Sequence, residues 1–115
     1  DTYAIVEIIK GNKNYLPYIN KNAVLTKLNI FELFYNLLRD YGKNKAQDIV
    51  NKYYLSVIEY NRSVIEESAE FRLAYKNKNL SMTDCIGYII AKKLGIKFLT
   101  GDKEFENLEN VEFVK

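Results

Sequence analysis

The pattern of hydrophobic and polar positions predicts a chain in which helices alternate with short strands. Helical spacing of apolar residues is most regular over Asn29–Tyr41, and Gly42 ends that run. The same spacing predicts helices over Ala46–Tyr54, Ser63–Tyr75 and Met82–Leu94. Four amphipathic helices are therefore expected.

Shorter segments complete the pattern. A short buried helix is predicted over Thr2–Lys10, followed by a helical turn over Asn14–Ile19. Four segments have the length and composition of strands: Ala23–Thr26, Leu55–Glu59, Lys97–Thr100 and Val111–Val114. This alternation predicts an α/β fold with a mostly parallel sheet and helices on both faces, and 115 residues suit one domain spanning 1–115.

Composition restricts the chemistry. The chain has no histidine and a single cysteine, Cys85, which excludes zinc fingers, Ser-His-Asp triads and Cys-His pairs. An active site would have to use carboxylates, hydroxyls, lysines or a bound metal. No apolar run approaches the roughly 20 residues of a membrane span, and no signal-peptide pattern is seen, so a cytoplasmic location away from membranes is expected.

Several acids also have an ordinary structural explanation. Asp84 follows Ser81 at the spacing of a capping box, and Glu32 follows Asn29 at the same spacing. Asp102 comes directly after a predicted strand, where turn formation explains it. Taken singly, each acid is better explained by a cap or a turn than by catalysis.

The four acids taken together favour a functional site. Asp102, and Asp1 if a strand precedes it, lie at the carboxyl ends of strands, while Glu32 and Asp84 lie in first turns of helices. In open α/β sheets these edges face a common crevice. Clustered carboxylates repel one another unless a cation compensates them, and magnesium and manganese prefer such oxygen ligands. Gly87 keeps the helix face beside Asp84 free of bulk, or else permits close helix packing.

Four stretches carry a family resemblance: Asp1–Tyr3, Asn29–Leu33, Leu80–Asp84 and Leu99–Phe105. In this order and context the chain resembles the PIN-domain ribonucleases, particularly the compact branch that contains VapC-like toxins. The resemblance implies a three-layer α/β/α fold with a five-stranded parallel sheet. It also implies a first strand immediately before Asp1.

The resemblance further implies an endoribonuclease that cuts single-stranded RNA with Mg²⁺ or Mn²⁺. Its metal ligands would be Asp1, Glu32, Asp84 and Asp102, with Thr100 as the polar member of the Thr-x-Asp motif. The protein would be a homodimer and the toxin of a toxin-antitoxin pair, with an antitoxin as its partner, or a housekeeping nuclease.

Other interpretations remain open on the sequence. Glu104 is a candidate auxiliary acid or a solvated loop residue, and Lys103 and Arg39 are candidate phosphate contacts or ordinary surface charges. A non-catalytic PIN-like module that binds RNA or protein would keep the same acids for structural reasons. A response-regulator-like switch also has clustered acids but fits the remaining pattern less well.

Overall fold

A computed structural model describes all residues, 1–115, and contains five α-helices, two 3-10 helices and two strands. The α-helices are α1 (Thr2–Lys10), α2 (Lys27–Tyr41), α3 (Lys43–Tyr54), α4 (Arg62–Ala74) and α5 (Met82–Leu94). The strands are β1 (Phe98–Thr100) and β2 (Val111–Phe113), and the 3-10 helices span Lys13–Tyr18 and Lys103–Phe105. The chain divides into two compact units, Thr2–Glu59 and a second unit of Asp1 with Tyr60–Lys115. None of the five α-helices combines the length and the apolar character that a membrane span requires.

The first unit, Thr2–Glu59, is built on α1, α2 and α3. Its core includes a cluster of five buried residues: Ile5, Leu25, Leu33, Leu37 and Ala46. The predicted helical spacing of α2 is confirmed, because Leu33 and Leu37 are buried one turn apart. Leu38 and Tyr41, which follow the same spacing in the sequence, are exposed instead.

Helix α2 begins earlier than the sequence pattern suggested. Its N-cap is Thr26, whose hydroxyl accepts from the backbone nitrogen of Asn29, while the Asn29 side chain accepts from the backbone nitrogen of Thr26. The prediction that Asn29 is the N-cap with Glu32 as its capping-box partner is therefore wrong. A complete reciprocal pair of hydrogen bonds is already made by Thr26 and Asn29, which leaves the Glu32 carboxylate for another partner.

The strands predicted over Ala23–Thr26 and Leu55–Glu59 reduce to one parallel bridge between Leu25 and Val57. The five-stranded sheet is accordingly wrong for this chain, which has a two-stranded sheet and that bridge. Thr26 is committed to capping α2, and Leu55 is 90% exposed just beyond α3. The start of α2 and the end of α3 thus leave too little extended chain in these two segments for more than one pair of residues to form strand hydrogen bonds.

The second unit contains α4, α5 and the sheet. Strands β1 and β2 pair in parallel with Phe98 opposite Val111 and Thr100 opposite Phe113. Five aromatic rings of this unit contact one another: Phe71, Tyr75, Tyr88, Phe98 and Phe105. Of these, Tyr88, Phe98 and Phe105 are buried in its core. The predicted end of α5 at Gly95 is confirmed, since Gly95 adopts a left-handed conformation at φ 70°.

Gly87 lies where α5 packs closely against β1. A Cβ atom built on Gly87 would lie 3.1 Å from Cε1 of Phe98, and Ala91, one turn later, is buried. Of the two interpretations of Gly87, close packing is the one that this distance supports.

Candidate functional site

Asp1 and Thr100 are joined by a hydrogen bond within the second unit. Thr100 ends β1 and is completely buried, and its hydroxyl donates to Oδ2 of Asp1 over 2.6 Å. The backbone nitrogen of Asp1 donates to the carbonyl of Leu99 over 2.7 Å. Asp1 is therefore held against the end of β1 by both its backbone and its carboxylate.

Asp102 is fixed by the same hydroxyl. The backbone nitrogen of Asp102 donates to Oγ1 of Thr100 over 3.0 Å, so this one hydroxyl joins the Asp1 carboxylate to the Asp102 backbone. The Asp102 side chain accepts from the backbone nitrogen of Glu104 over 3.0 Å as the N-cap of the 3-10 helix Lys103–Phe105. Phe105 is completely buried and anchors this turn in the aromatic core. These contacts are compatible with both interpretations of Asp102, as a turn residue and as a member of a polar site shared with Asp1.

Glu104, the candidate auxiliary acid, belongs to the same turn. Lys78 donates from Nζ to the carbonyl oxygen of Glu104 over 3.0 Å, and its ammonium lies 4.0 Å from the Glu104 carboxylate. Lys103 is exposed. Lys78 therefore ties the loop that carries Asp102 to the segment that precedes α5.

Asp84 lies in the first turn of α5, where the Ser81 hydroxyl accepts from its backbone nitrogen over 3.1 Å. The N-cap predicted at Ser81 is confirmed. The Asp84 side chain is partly exposed, whereas the next residue, Cys85, is buried. Burial raises the pKa of the Cys85 thiol, and the nearby Asp84 carboxylate raises it further against an opposing effect of Arg72. The thiol therefore stays protonated at neutral pH and offers no nucleophile.

Glu32 is held within the first unit. The Thr2 hydroxyl donates to Oε1 of Glu32 over 2.7 Å and accepts from Nδ2 of Asn29 over 3.0 Å. Thr2, Asn29 and Thr26 are all buried, while Glu32 is partly exposed. A series of hydrogen bonds thus connects the N-cap of α2, through the buried Asn29 and Thr2 side chains, to the partly exposed Glu32 carboxylate.

Arg39 does not project freely from α2. Its guanidinium pairs with Asp40 over 3.0 Å and donates to Asn36 over 2.9 Å. The hydrogen bond from Arg39 holds the pKa of the Asp40 carboxyl below its usual value. Of the two candidate phosphate contacts, exposed Lys103 is the one adjacent in sequence to a candidate acid.

The structure brings some of the candidate residues together. Asp1, Thr100 and Asp102 form one connected group, and Glu32 belongs to another with Thr2 and Asn29. No group of three or more Cys, Asp or Glu side chains is arranged to hold a metal ion.

Sequence reasoning missed Thr2 and Asn29 as supports of Glu32. A signal for Asn29 was present, since Thr26 and Asn29 have the spacing of a reciprocal N-cap pair just before the apolar run. Thr2 carries no such signal, because its contact with Glu32 joins residues 30 positions apart.

One comparison with known proteins identifies a family. A family model described as PIN domain matches residues 1–111. The fold is similar to a chain of a toxin-antitoxin complex from Klebsiella pneumoniae, with a TM-score of 0.75 and 16% sequence identity over 97% of this chain and 92% of that chain. No curated protein sequence matches the chain significantly.

Proposed function

The chain belongs to the PIN-domain family, and on that premise we propose that it is a metal-dependent endoribonuclease acting on single-stranded RNA. PIN domains are generally nucleases, which supports a hydrolase. The observation that carries the proposal is the group formed by Asp1, Thr100 and Asp102, in which a buried hydroxyl orients one acid and fixes the backbone of another. Hydrogen bonds of this kind orient carboxylates that bind a common ligand, such as a metal ion.

The donor chemistry of the four candidate acids fits a hard divalent cation. Asp1, Glu32, Asp84 and Asp102 offer only carboxylate oxygens, which Mg²⁺ and Mn²⁺ favour over sulfur. Asp1 and Glu32 are each oriented by a threonine hydroxyl. We propose each of these four acids as a metal ligand, in a chain that forms one domain, 1–115.

The chain's own residues would then bind and orient the RNA. When bound, a divalent ion lowers the pKa of water and offsets the charge that builds on phosphate oxygens. Thr100 acts through Asp1 and Asp102, because a completely buried hydroxyl cannot touch the substrate. Lys103, exposed beside Asp102, would contact a phosphate of the RNA backbone.

Net charge is compatible with an RNA partner. The formal net charge is +2, and neutralisation of four acids by metal raises it by four, to +6. A positive balance of this size attracts a phosphate backbone, and binding should weaken as salt increases. Lys103 is the phosphate contact that we expect to contribute to this salt dependence.

We also propose that the protein is a toxin that is held by an antitoxin and forms a symmetric homodimer in the cytoplasm. Support for the antitoxin comes from the similar chain, which belongs to a toxin-antitoxin complex. Support for the dimer comes from α2, where Phe31 is 73% exposed and Tyr35, one turn later, is 61% exposed. Adjacent exposed aromatic side chains of this kind mark association surfaces.

The direct test incubates the full chain with a set of single-stranded RNAs, in chelator and in Mn²⁺. Cleavage should require the metal and should be lost in Asp102→Asn purified in the same way, which separates the activity from contaminating nucleases. Metal or RNA binding without cleavage would instead indicate a non-catalytic PIN-like binding module. Cleavage that persists in chelator would contradict the metal-dependent proposal.

A further inference from the structure

Asn29 lies at the centre of a hydrogen-bond series that ends on Glu32. The side-chain oxygen of Asn29 accepts from the backbone nitrogen of Thr26 over 3.0 Å and from the Thr26 hydroxyl over 3.1 Å. A backbone N–H only donates, so the atom of the Asn29 amide that faces it must be the oxygen. The amide group of Asn29 is thereby fixed in one orientation.

The direction of the remaining hydrogen bonds follows from that orientation. Nδ2 of Asn29 faces the Thr2 hydroxyl over 3.0 Å and donates to it. A hydroxyl has one proton, and with its oxygen accepting from Asn29, Thr2 donates that proton to Oε1 of Glu32 over 2.7 Å. The N-cap of α2 thus determines that a donor, and not a lone pair, faces the Glu32 carboxylate.

We propose that Asn29 is a positioning residue that acts through Thr2 to hold Glu32 as a preoriented metal ligand. The inference rests on the proposed function for the role of Glu32, whereas the hydrogen-bond series stands independently of it. All three side chains belong to the first unit, and both Asn29 and Thr2 are buried. Their burial protects the series from competition by water.

Asn29→Asp separates positioning from capping. An aspartate keeps an oxygen for the Thr26 nitrogen and suits the first turn of a helix, so the cap survives. An ionised aspartate has no proton for Thr2, however, so the single hydroxyl proton is contested by two carboxylates. Loss of such ligand-orienting partners typically weakens metal binding about 10- to 100-fold, and we expect that range for Mn²⁺ at pH 8.

Two Thr2 variants test the hydrogen bond from Thr2 to Glu32 without adding a charge. Thr2→Val removes the hydroxyl at nearly constant volume and should weaken Mn²⁺ binding as Asn29→Asp does, while Thr2→Ser keeps the hydroxyl and should bind close to wild type. Because the two residues act in series, the double variant Thr2→Val with Asn29→Asp should bind no more weakly than Thr2→Val alone. If Asn29→Asp fails to fold, the Val and Ser pair still decides the Thr2 link.

Asn61→Asp is the matched control. Asn61 caps α4 through its side-chain oxygen, which accepts from the backbone nitrogen of Val64, and an aspartate supplies the same acceptor. The variant adds the same charge at a helix start, and its Mn²⁺ affinity should equal that of wild type. Wild-type affinity in folded Asn29→Asp, or equal affinities in Thr2→Val and Thr2→Ser, would overturn the proposal.

A measurement without metal separates this inference from the proposed function. If the wild-type chain binds no Mn²⁺, the metal-ligand role of Glu32 is refuted, and the crystal structure of metal-free Asn29→Asp then tests the series. The distance from Oγ1 of Thr2 to Oε1 of Glu32 should exceed about 3.5 Å, beyond hydrogen-bond range. An unchanged contact would show that Asn29 does not position Glu32.

Discussion

The hydroxyl of Thr100 donates to the carboxylate of Asp1 over 2.6 Å and accepts from the backbone nitrogen of Asp102 over 3.0 Å. Because Thr100 is completely buried at the end of β1, this one side chain joins two candidate acids that are far apart in sequence. The positions of the Asp1 carboxylate and the Asp102 backbone therefore both depend on where the Thr100 hydroxyl is held.

Thr100→Val should reduce both stability and cleavage. The isosteric valine leaves the Asp102 N–H without its partner, which costs about 1 to 3 kcal/mol, and removes the donor to Asp1. Thr100→Ser keeps both hydrogen bonds and serves as the control in urea unfolding and RNA cleavage assays. A valine variant that cleaves RNA as fast as the serine variant would contradict a role for Thr100 in orienting the acids.

Asp84→Asn should lose cleavage while the metal-free protein keeps its stability. The Ser81 cap uses the backbone nitrogen of residue 84 and is independent of the carboxylate, so the melting temperature in chelator should not fall. Added Mn²⁺ should stabilise the variant less than wild type, because ligand binding to the folded state raises stability.

Ser81→Ala is the complementary control for Asp84→Asn. It removes the cap, which costs about 0.5 to 2 kcal/mol, but it leaves the proposed metal ligands intact. Its melting temperature should therefore be lower in chelator, while its stabilisation by Mn²⁺ matches that of wild type. If Asp84→Asn shows this same behaviour, Asp84 is a capping residue alone.

Gly87→Ala should destabilise the protein despite the better helix propensity of alanine. The propensity gain is about 1 kcal/mol, whereas a Cβ at 3.1 Å from the buried Phe98 ring requires overpacking that costs about 1 to 3 kcal/mol. Urea unfolding should show a net loss. Combining Gly87→Ala with Phe98→Leu should be less damaging than the sum of the two changes, and strict additivity would exclude this clash as the cause.

Alkaline pH should unfold the first unit partly through Tyr15. Burial raises the pKa of Tyr15 from 10.0 to about 12, with smaller contributions from Tyr3, Glu7 and Tyr18. A raised folded-state pKa means that this contribution to stability is complete below pH 10 and is lost as the pH rises through about 12. Between these values the unfolding free energy should fall by up to about 1.4 kcal/mol per pH unit from this group.

Tyr15→Phe removes that titration, so its stability should decline less steeply than that of wild type from pH 10 to 12. The control is Tyr54→Phe, because Tyr54 is 49% exposed and lies at the end of α3. Urea unfolding at several pH values measures the slopes. Equal slopes for wild type and Tyr15→Phe would refute the contribution of Tyr15.

The proposed homodimer should depend on the exposed face of α2. Sedimentation of the wild-type chain at high micromolar concentration should show a dimer, and Tyr35→Glu should shift it toward monomer by introducing charge into an aromatic surface. Asp48→Ala, at an exposed position on α3, is the control and should remain dimeric. A wild-type chain that sediments only as a monomer removes the dimer proposal.

Local sequence determined the helices of this protein because their evidence lies within a few residues. Regular spacing in α2 buries Leu33 and Leu37, and Ser81 and Gly95 bound α5 as predicted. The candidate acids were also identifiable, since family motifs and strand and helix ends are local features. The N-cap of α2 was misassigned because Thr26, its actual N-cap, was assigned to a strand, and Asn29 is also a residue type that favours the N-cap.

The sequence predicted β1 and β2 correctly, whereas tertiary structure alone decided the extent of the other two strands and the partners of the acids. Leu25 and Val57 pair as a single bridge although both segments have strand-like composition, because neighbouring helix ends determine how much extended chain is available. Thr100 meets Asp1, and Thr2 meets Glu32, across 99 and 30 positions. No local preference encodes such pairs, because their geometry depends on how distant segments pack. It is this packing that places the hydroxyls of Thr100 and Thr2 against the candidate acids.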